Sequence, residues 1–154
     1  MTEGEKQLSA WSGDFGRDYV SRNQATAEAI EQRRLAFEKI FESFYDGENP
    51  QSILETGCNI GINIHALSQL TDATLHAIEP NRDALDTLID SGILPPERAL
   101  QGSLQSLPFE DGEIDLVFTS GVLIHIPDEA LDRAIAEIYR VSARYILTLE
   151  YFSP

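Results

Sequence analysis

The sequence predicts an α/β fold: a doubly wound, mostly parallel sheet with helices on both faces. Three observations lead there. Five short apolar runs alternate with segments of helical spacing, and strands joined through helices pair in parallel by right-handed crossovers. The first run, Ser52 to Thr56, breaks at Gly57, and Gly61 then opens a helical segment. Polar residues (Glu55, Glu79, Ser103 and Ser120) fall at the carboxyl ends of successive runs, which is where such sheets bind ligands.

Each element follows in chain order. After a polar start come Trp11, Phe15 and Tyr19, four apart on one prospective helix face, with Gly13 and Gly16 weakening it. Residues 1–23 therefore read as an aromatic lid or an anchor that pins the N-terminus, and residues 24–154 as one domain. From about Thr26 to Phe44 the apolar residues Ala27, Ile30, Phe37, Phe41 and Phe44 keep helical steps. Asp46 to Pro50 is a loop. Beyond the first strand and its turn, a helix runs to about Leu70.

Ala73 to Ile78 is a second strand, and a helix over Arg82–Ser91 carries Asn81 as its cap. His76, in mid-strand, reads as structural. Arg98 to Gln101 forms a short third strand, and Ile114 to Ser120 a nearly continuous apolar fourth. A helix capped by Asp128 follows, with Leu131, Ile135 and Ile138 on its apolar face. Tyr145 to Leu149 is the fifth strand.

Composition narrows the function. With 154 residues and 42% hydrophobic content, one domain with a real core is expected. A formal net charge of −15 argues against nucleic acid as partner, because that binding relies on Lys and Arg neutralising phosphates. No apolar run reaches the roughly 18 residues of a membrane span. The single cysteine, Cys58, forms no internal disulfide, so a reducing cytoplasm is the simpler setting.

The turn after the first strand selects among ligands. A dinucleotide fingerprint needs glycine at three places, and here Gly57, Asn59 and Ile62 occupy them. Glu55 would also sit badly beside a pyrophosphate. A ligand with one cationic amine and one carboxylate fits better, the carboxylate facing the helix start and the amine facing Glu55. S-adenosylmethionine (SAM) has both groups. An ordinary strand–helix turn without a ligand explains this stretch equally well. Glu79 tips the balance: it falls 22 residues after Gly57, close to the spacing at which a carboxylate grips ribose hydroxyls.

The ordered series Ile53–Gly61, Ala77–Pro80, Gly102–Phe109 and Asp115–Phe118 resembles the class I SAM-dependent methyltransferases over about residues 50–150. More narrowly, Trp11–Gly16 with Arg22-Asn23, and Gly121–Pro127, are similar to the methylases associated with pseudaminic acid and related sugar biosynthesis. The resemblance implies a Rossmann-like fold and methyl transfer from SAM to a small-molecule acceptor, a sugar or nonulosonic acid in the narrower case. Glu55, Thr56, Gly57, Cys58, Asn59 and Gly61 would line the methionine end. Glu79 and Pro80 would hold the ribose, and Ser103 and Leu104 would flank the adenine. Ser120 would lie near the methionine or methyl end, and Tyr19 from the lid would also bind the cofactor. Asn59 stands where the family has a second glycine, and Asn tolerates the left-handed backbone. Ser103 replaces a frequent Asp.

Methyl transfer from a sulfonium needs no metal, and positioning supplies much of the rate. An oxygen or nitrogen acceptor needs a base, and His125 is the candidate; packing of the loop before Asp128 is the competing role. Family members have seven strands, and five are readable here, so the chain is expected to lack strands six and seven. Its fifth strand would expose Tyr145, Leu147 and Leu149 at an open edge that either a homodimer or two more strands of a longer natural chain would cover. A SAM-binding module without activity, or a nicotinamide-dependent oxidoreductase, are the other readings.

Overall fold

The computed structural model describes residues 1–44 and 47–151, so Asp46 of the expected loop and the terminal Pro154 lie outside the described residues. The chain builds five parallel strands: β1 (Ser52–Thr56), β2 (Thr74–Glu79), β3 (Ala99–Gln101), β4 (Ile114–Ser120) and β5 (Ser142–Leu149), ordered β3-β2-β1-β4-β5. β1 lies at the centre, with β2 on one side and β4 on the other. The chain winds outward in both directions from β1, so the strand order reverses beside it and leaves a crevice at its carboxyl end.

Alternation along the strands sorts side chains between two cores. Ile53, Leu75, Ala77, Leu116 and Phe118 join Phe37 of α3 (Ala27–Glu42), Ile64 and Leu67 of α4 (Ile62–Leu70), and Leu85 and Leu88 of α5 (Arg82–Asp90). Leu54, Ile78, Ile114 and Val117 point the other way. They meet Leu104 and Leu107 of the β3–β4 connection and Ala134, Ile138 and Val141 of α6 (Asp128–Val141). β1 and β4 are buried nearly throughout because both faces are covered, whereas β5 alternates half-buried and exposed residues.

Several expectations change. The aromatic N-terminal segment forms two helices, α1 (Glu3–Ser12) and α2 (Asp14–Ser21). Gly13, at φ −108° and ψ −148°, breaks them apart. The inward face of α6 runs through Ala134, Ile138 and Val141, and Ile135 is 48% exposed. Asp128 lies within the first turn of α6, after Pro127 at the cap position, so its charge acts on the helix dipole instead of capping. Tyr145, Leu147 and Leu149 turn inward against the first core, with Tyr145 stacked on Phe44 at 4.4 Å. The large apolar side chain exposed on β5 is Ile146. No helix among the described residues is long and apolar enough to cross a membrane.

Candidate functional site

A cavity opens where β1, β2 and β4 end, between the sheet and the α1–α2 pair. Its floor is the turn after β1, and three left-handed residues shape that turn: Gly57 (φ 76°), Asn59 (φ 50°) and Gly61 (φ 81°). A Cβ at Gly57 would meet Val122 Cγ2 at 2.6 Å, and one at Gly61 would meet Leu88 Cδ1 at 2.5 Å. Glycine is required at both on two counts, backbone conformation and space. Asn59 takes the third left-handed position, the role expected of it.

Glu55 stands at the end of β1 with 2% of its surface exposed. Its Oε1 accepts from Asn63 Nδ2 at 2.6 Å. Its Oε2 is buried without a donor, and so are Asn63 Oδ1 and Asn59 Oδ1. Burial pushes the Glu55 carboxyl up to about 8, with the Asn63 hydrogen bond opposing the shift and the Glu79 charge adding to it; Arg33 pulls weakly the other way. Native proteins rarely leave buried polar atoms unpaired, and here three acceptors are left together.

Glu79 is also buried, at 6% exposure. Its Oε2 accepts from the Asn59 N–H at 2.8 Å and its Oε1 from the Asn81 N–H at 2.9 Å. Burial raises its pKa, and those two N–H groups hold the rise back. It therefore clips the glycine turn to the end of β2, a structural task that its position at a strand end does not suggest. One lone pair on each oxygen stays available.

The cavity brings together most of the expected residues: Glu55, Gly57, Cys58 and Asn59 from the turn; Glu79 and Pro80; Ser103 and Leu104; Ser120; Tyr19 and His125. Thr56 and Gly61 are not in its lining. Thr56 is fully buried and donates from Oγ1 to the Phe118 carbonyl at 3.3 Å, and Gly61 packs on α5. Cys58 lines the cavity with its thiol pushed well up by burial and the nearby Glu55 and Glu79 charges, which disfavours the thiolate form.

The cavity also takes residues that the sequence did not single out. Arg33 is the one Lys or Arg among the described lining residues. A signal for it existed: it lies three residues after Ile30 and four before Phe37, so it shares the side of α3 that carries Phe37, while itself staying exposed at the cavity's edge. Asn63 and Asn81 also line the cavity, and nothing in their local sequence distinguishes them from ordinary helix-start asparagines. Asn81 does cap α5, accepting from the Ala84 N–H at 3.0 Å, and its Nδ2 donates to the Trp11 carbonyl at 2.9 Å.

That bond ties the N-terminal helices over the cavity. Gly16 allows the close approach, since a Cβ there would lie 1.9 Å from the Trp11 carbonyl oxygen. The Trp11 ring contacts Phe15, Tyr19 and His125 at centroid distances of 5.0, 5.3 and 5.0 Å. His125 lies in a 3-10 turn (Leu123–His125) after β4. It borders both the cavity and a shallow groove against α1.

Comparison with known proteins matches the chain to a family. A family described as "Methyltransferase domain" matches residues 53–144. A proposed SAM-dependent methyltransferase from Methanococcus maripaludis aligns with a TM-score of 0.66 at 23% identity, covering 86% of this chain and 61% of that one. A SAM-dependent methyltransferase from Leishmania major aligns with a TM-score of 0.67 at 17% identity, covering 94% and 67%. The Haemonchus contortus phospholethanolamine N-methyltransferase 2, solved with phosphomonomethylethanolamine and S-adenosylhomocysteine, gives 0.62 at 20% identity over 76% of this chain and 27% of that one. An uncharacterized Haemophilus influenzae protein is 27% identical over 95 residues, 59% of this chain and 38% of its own length. The chain thus spans well under half of that curated relative.

Proposed function

This chain belongs to the methyltransferase-domain family, of the class I SAM-dependent kind, and from that membership we propose that it transfers the methyl group of SAM to a small-molecule acceptor. One observation carries the reading: the three buried oxygens without a donor, on Glu55, Asn59 and Asn63. With Glu55 ionised, the form a bound cation favours, all three accept, so the ligand they fit brings N–H or O–H donors. An ammonium group beside a buried carboxylate satisfies both charge and hydrogen bonding. The methionine end of SAM carries that ammonium, and the donor set fits it.

In this reading Glu55 and Asn63 hold the ammonium, and Arg33 faces the carboxylate next to it. Glu79 and Pro80 take the ribose, Ser103 and Leu104 flank the adenine, and Ser120 and Tyr19 border the methyl end. Thr56 and Gly61 act from behind, fixing the turn. When bound, SAM supplies a methyl group already activated on a sulfonium. The chain's own contribution is to fix orientation and keep water away, with α1 and α2 as the cover. His125 accepts a proton on a ring nitrogen from an acceptor hydroxyl or amine. A sugar-derived acid rests only on the N-terminal and post-β4 resemblances; the family match and the relatives add nothing to it. The assembly proposed with it is a homodimer over the outer edge of β5, beside exposed Ile146, and light scattering tests it. The cytoplasmic setting rests on the single cysteine.

The test is ligand-dependent melting. S-adenosylhomocysteine (SAH) should raise the melting temperature and NAD should not, because a ligand that binds only the folded state stabilises it. A rise with NAD and none with SAH overturns the reading. A radiolabelled-methyl assay with small hydroxyl and amine acceptors separates turnover from binding alone.

A further inference from the structure

Glu150 follows β5 and reaches back to the loop between β4 and α6. Its Oε1 accepts from the buried Thr119 Oγ1 at 2.9 Å and from the Val122 N–H at 3.3 Å, and its Oε2 accepts from the Ile124 N–H at 3.4 Å. Three side chains of that loop border the cavity directly: Ile126, Val122, which presses on Gly57, and His125, which rests on Trp11. We propose that Glu150 is a positioning residue, which sets the loop of residues 121–126 and so places His125 against Trp11 at the side of the cavity where the acceptor arrives.

The residue type suits the task. Two backbone N–H groups and one hydroxyl converge on it, and an ionised carboxylate accepts at both oxygens while donating nothing. A glutamine would turn an NH2 towards one of those donors. Strand pairing does not depend on Glu150, since Thr119↔Thr148 and Ser120↔Leu149 already join β4 to β5. Its hydrogen bonds go to the loop and to the residue near its root. The inference draws its chemical meaning from the proposed role of His125, but its readout is independent of methyl transfer.

Trp11 is the single tryptophan, and an imidazole in ring contact alters indole emission, so the difference in emission between the unaltered chain and His125→Ala at one fixed pH reports the contact. Glu3 and Lys6 of α1 share the groove with His125, and Glu3→Gln and Lys6→Gln serve as controls for their charges. Glu150→Ala should move the emission most of the way to that of His125→Ala, and Thr119→Val part of the way. Glu150→Gln should stay close to the unaltered chain, because Oε1 still serves Thr119 and Val122. SAH affinity, measured by calorimetry on the same samples, should change by less than about twofold, the scale of changes remote from a contact. Emission of Glu150→Ala equal to that of the unaltered chain overturns the proposal, and so does equal emission of the unaltered chain and His125→Ala. A parallel collapse of SAH affinity in Glu150→Ala also overturns it, because the residue would then merely hold the fold. Failure of the unaltered chain to bind SAH counts against the proposed function alone.

Discussion

Two polar clusters in this chain solve opposite problems. Around Arg140 on α6 every group closes on the protein itself. Its guanidinium donates to both oxygens of Glu137 at 2.7 and 2.9 Å, to the Leu107 and Phe109 carbonyls at 3.0 and 2.7 Å, and to Asp111 Oδ1 at 3.0 Å. Glu137 also takes the Leu107 N–H at 2.8 Å. The cluster pins the β3–β4 connection to α6, and nothing in it points to a ligand. Around Glu55 the account stays open, with three buried acceptors facing a cavity and no donor. A satisfied polar network specifies structure, whereas an unsatisfied one at the switch point of a parallel sheet is shaped for something that arrives later.

The sharpest way to break this contrast is Glu55→Gln. Removing one partner of a buried charged pair costs roughly 3–5 kcal/mol, so SAH affinity should fall by at least about a hundredfold. The free protein should melt no lower than before, since the amide no longer buries an ionisable group. Calorimetry showing unchanged SAH affinity would remove Glu55 from the ligand site.

The next effect is on pH dependence. The folded pKa of Glu55 is pushed up to about 8 from an ordinary 4.5, so between those values the folded state holds a proton that the unfolded chain has lost. Its stabilising contribution is complete below about pH 4.5 and is lost as pH rises through about 8, on the order of a few kcal/mol in total. Glu137 has the opposite sign. Arg140 holds its carboxyl down at about 2, so its contribution is present above 4.5 and lost as pH falls through about 2. Urea denaturation from pH 5 to 8.5 should show stability falling with pH more steeply in the unaltered chain than in Glu55→Gln. Identical slopes would count against a buried, proton-holding Glu55.

Glu79→Ala sits between the two clusters, because Glu79 both clips the glycine turn and borders the cavity. It should weaken SAH binding by about 1.5–3 kcal/mol, the scale of hydrogen bonds to a charged group. It should also lower the melting temperature, because the Asn59 and Asn81 N–H groups lose their acceptor. A loss of affinity with no loss of stability would show that the clip is dispensable. The smallest effects come from two arginines with opposite phenotypes. Arg33→Ala should weaken SAH about tenfold, the step of a single charge-assisted contact, and leave the affinity for an analogue without the carboxylate unchanged. Arg140→Ala should lower the melting temperature modestly and leave SAH affinity unchanged. If the two variants behave alike, the distinction between a closed and an open cluster fails.

Sequence alone determined the parts that local chemistry governs. Alternation of apolar runs with helical spacing gave the five strands and the helices between them. Glycine at 57 and 61 and asparagine at 59 marked the three left-handed positions (φ 76°, 81° and 50°), since few other residues tolerate that backbone. The spacing from Gly57 to Glu79 brought both to one cavity. Tertiary structure alone decided what depends on partners distant along the chain. Arg33 reaches the cavity lining because α3 packs against α4, and Asn81 meets Trp11 across 70 residues. Glu79 serves two backbone N–H groups that only the folded turn presents, and Glu150 finds Thr119 across 31 residues. Backbone preferences are written into neighbouring residues, but hydrogen-bond partners across a sheet exist only once packing has chosen which ends meet.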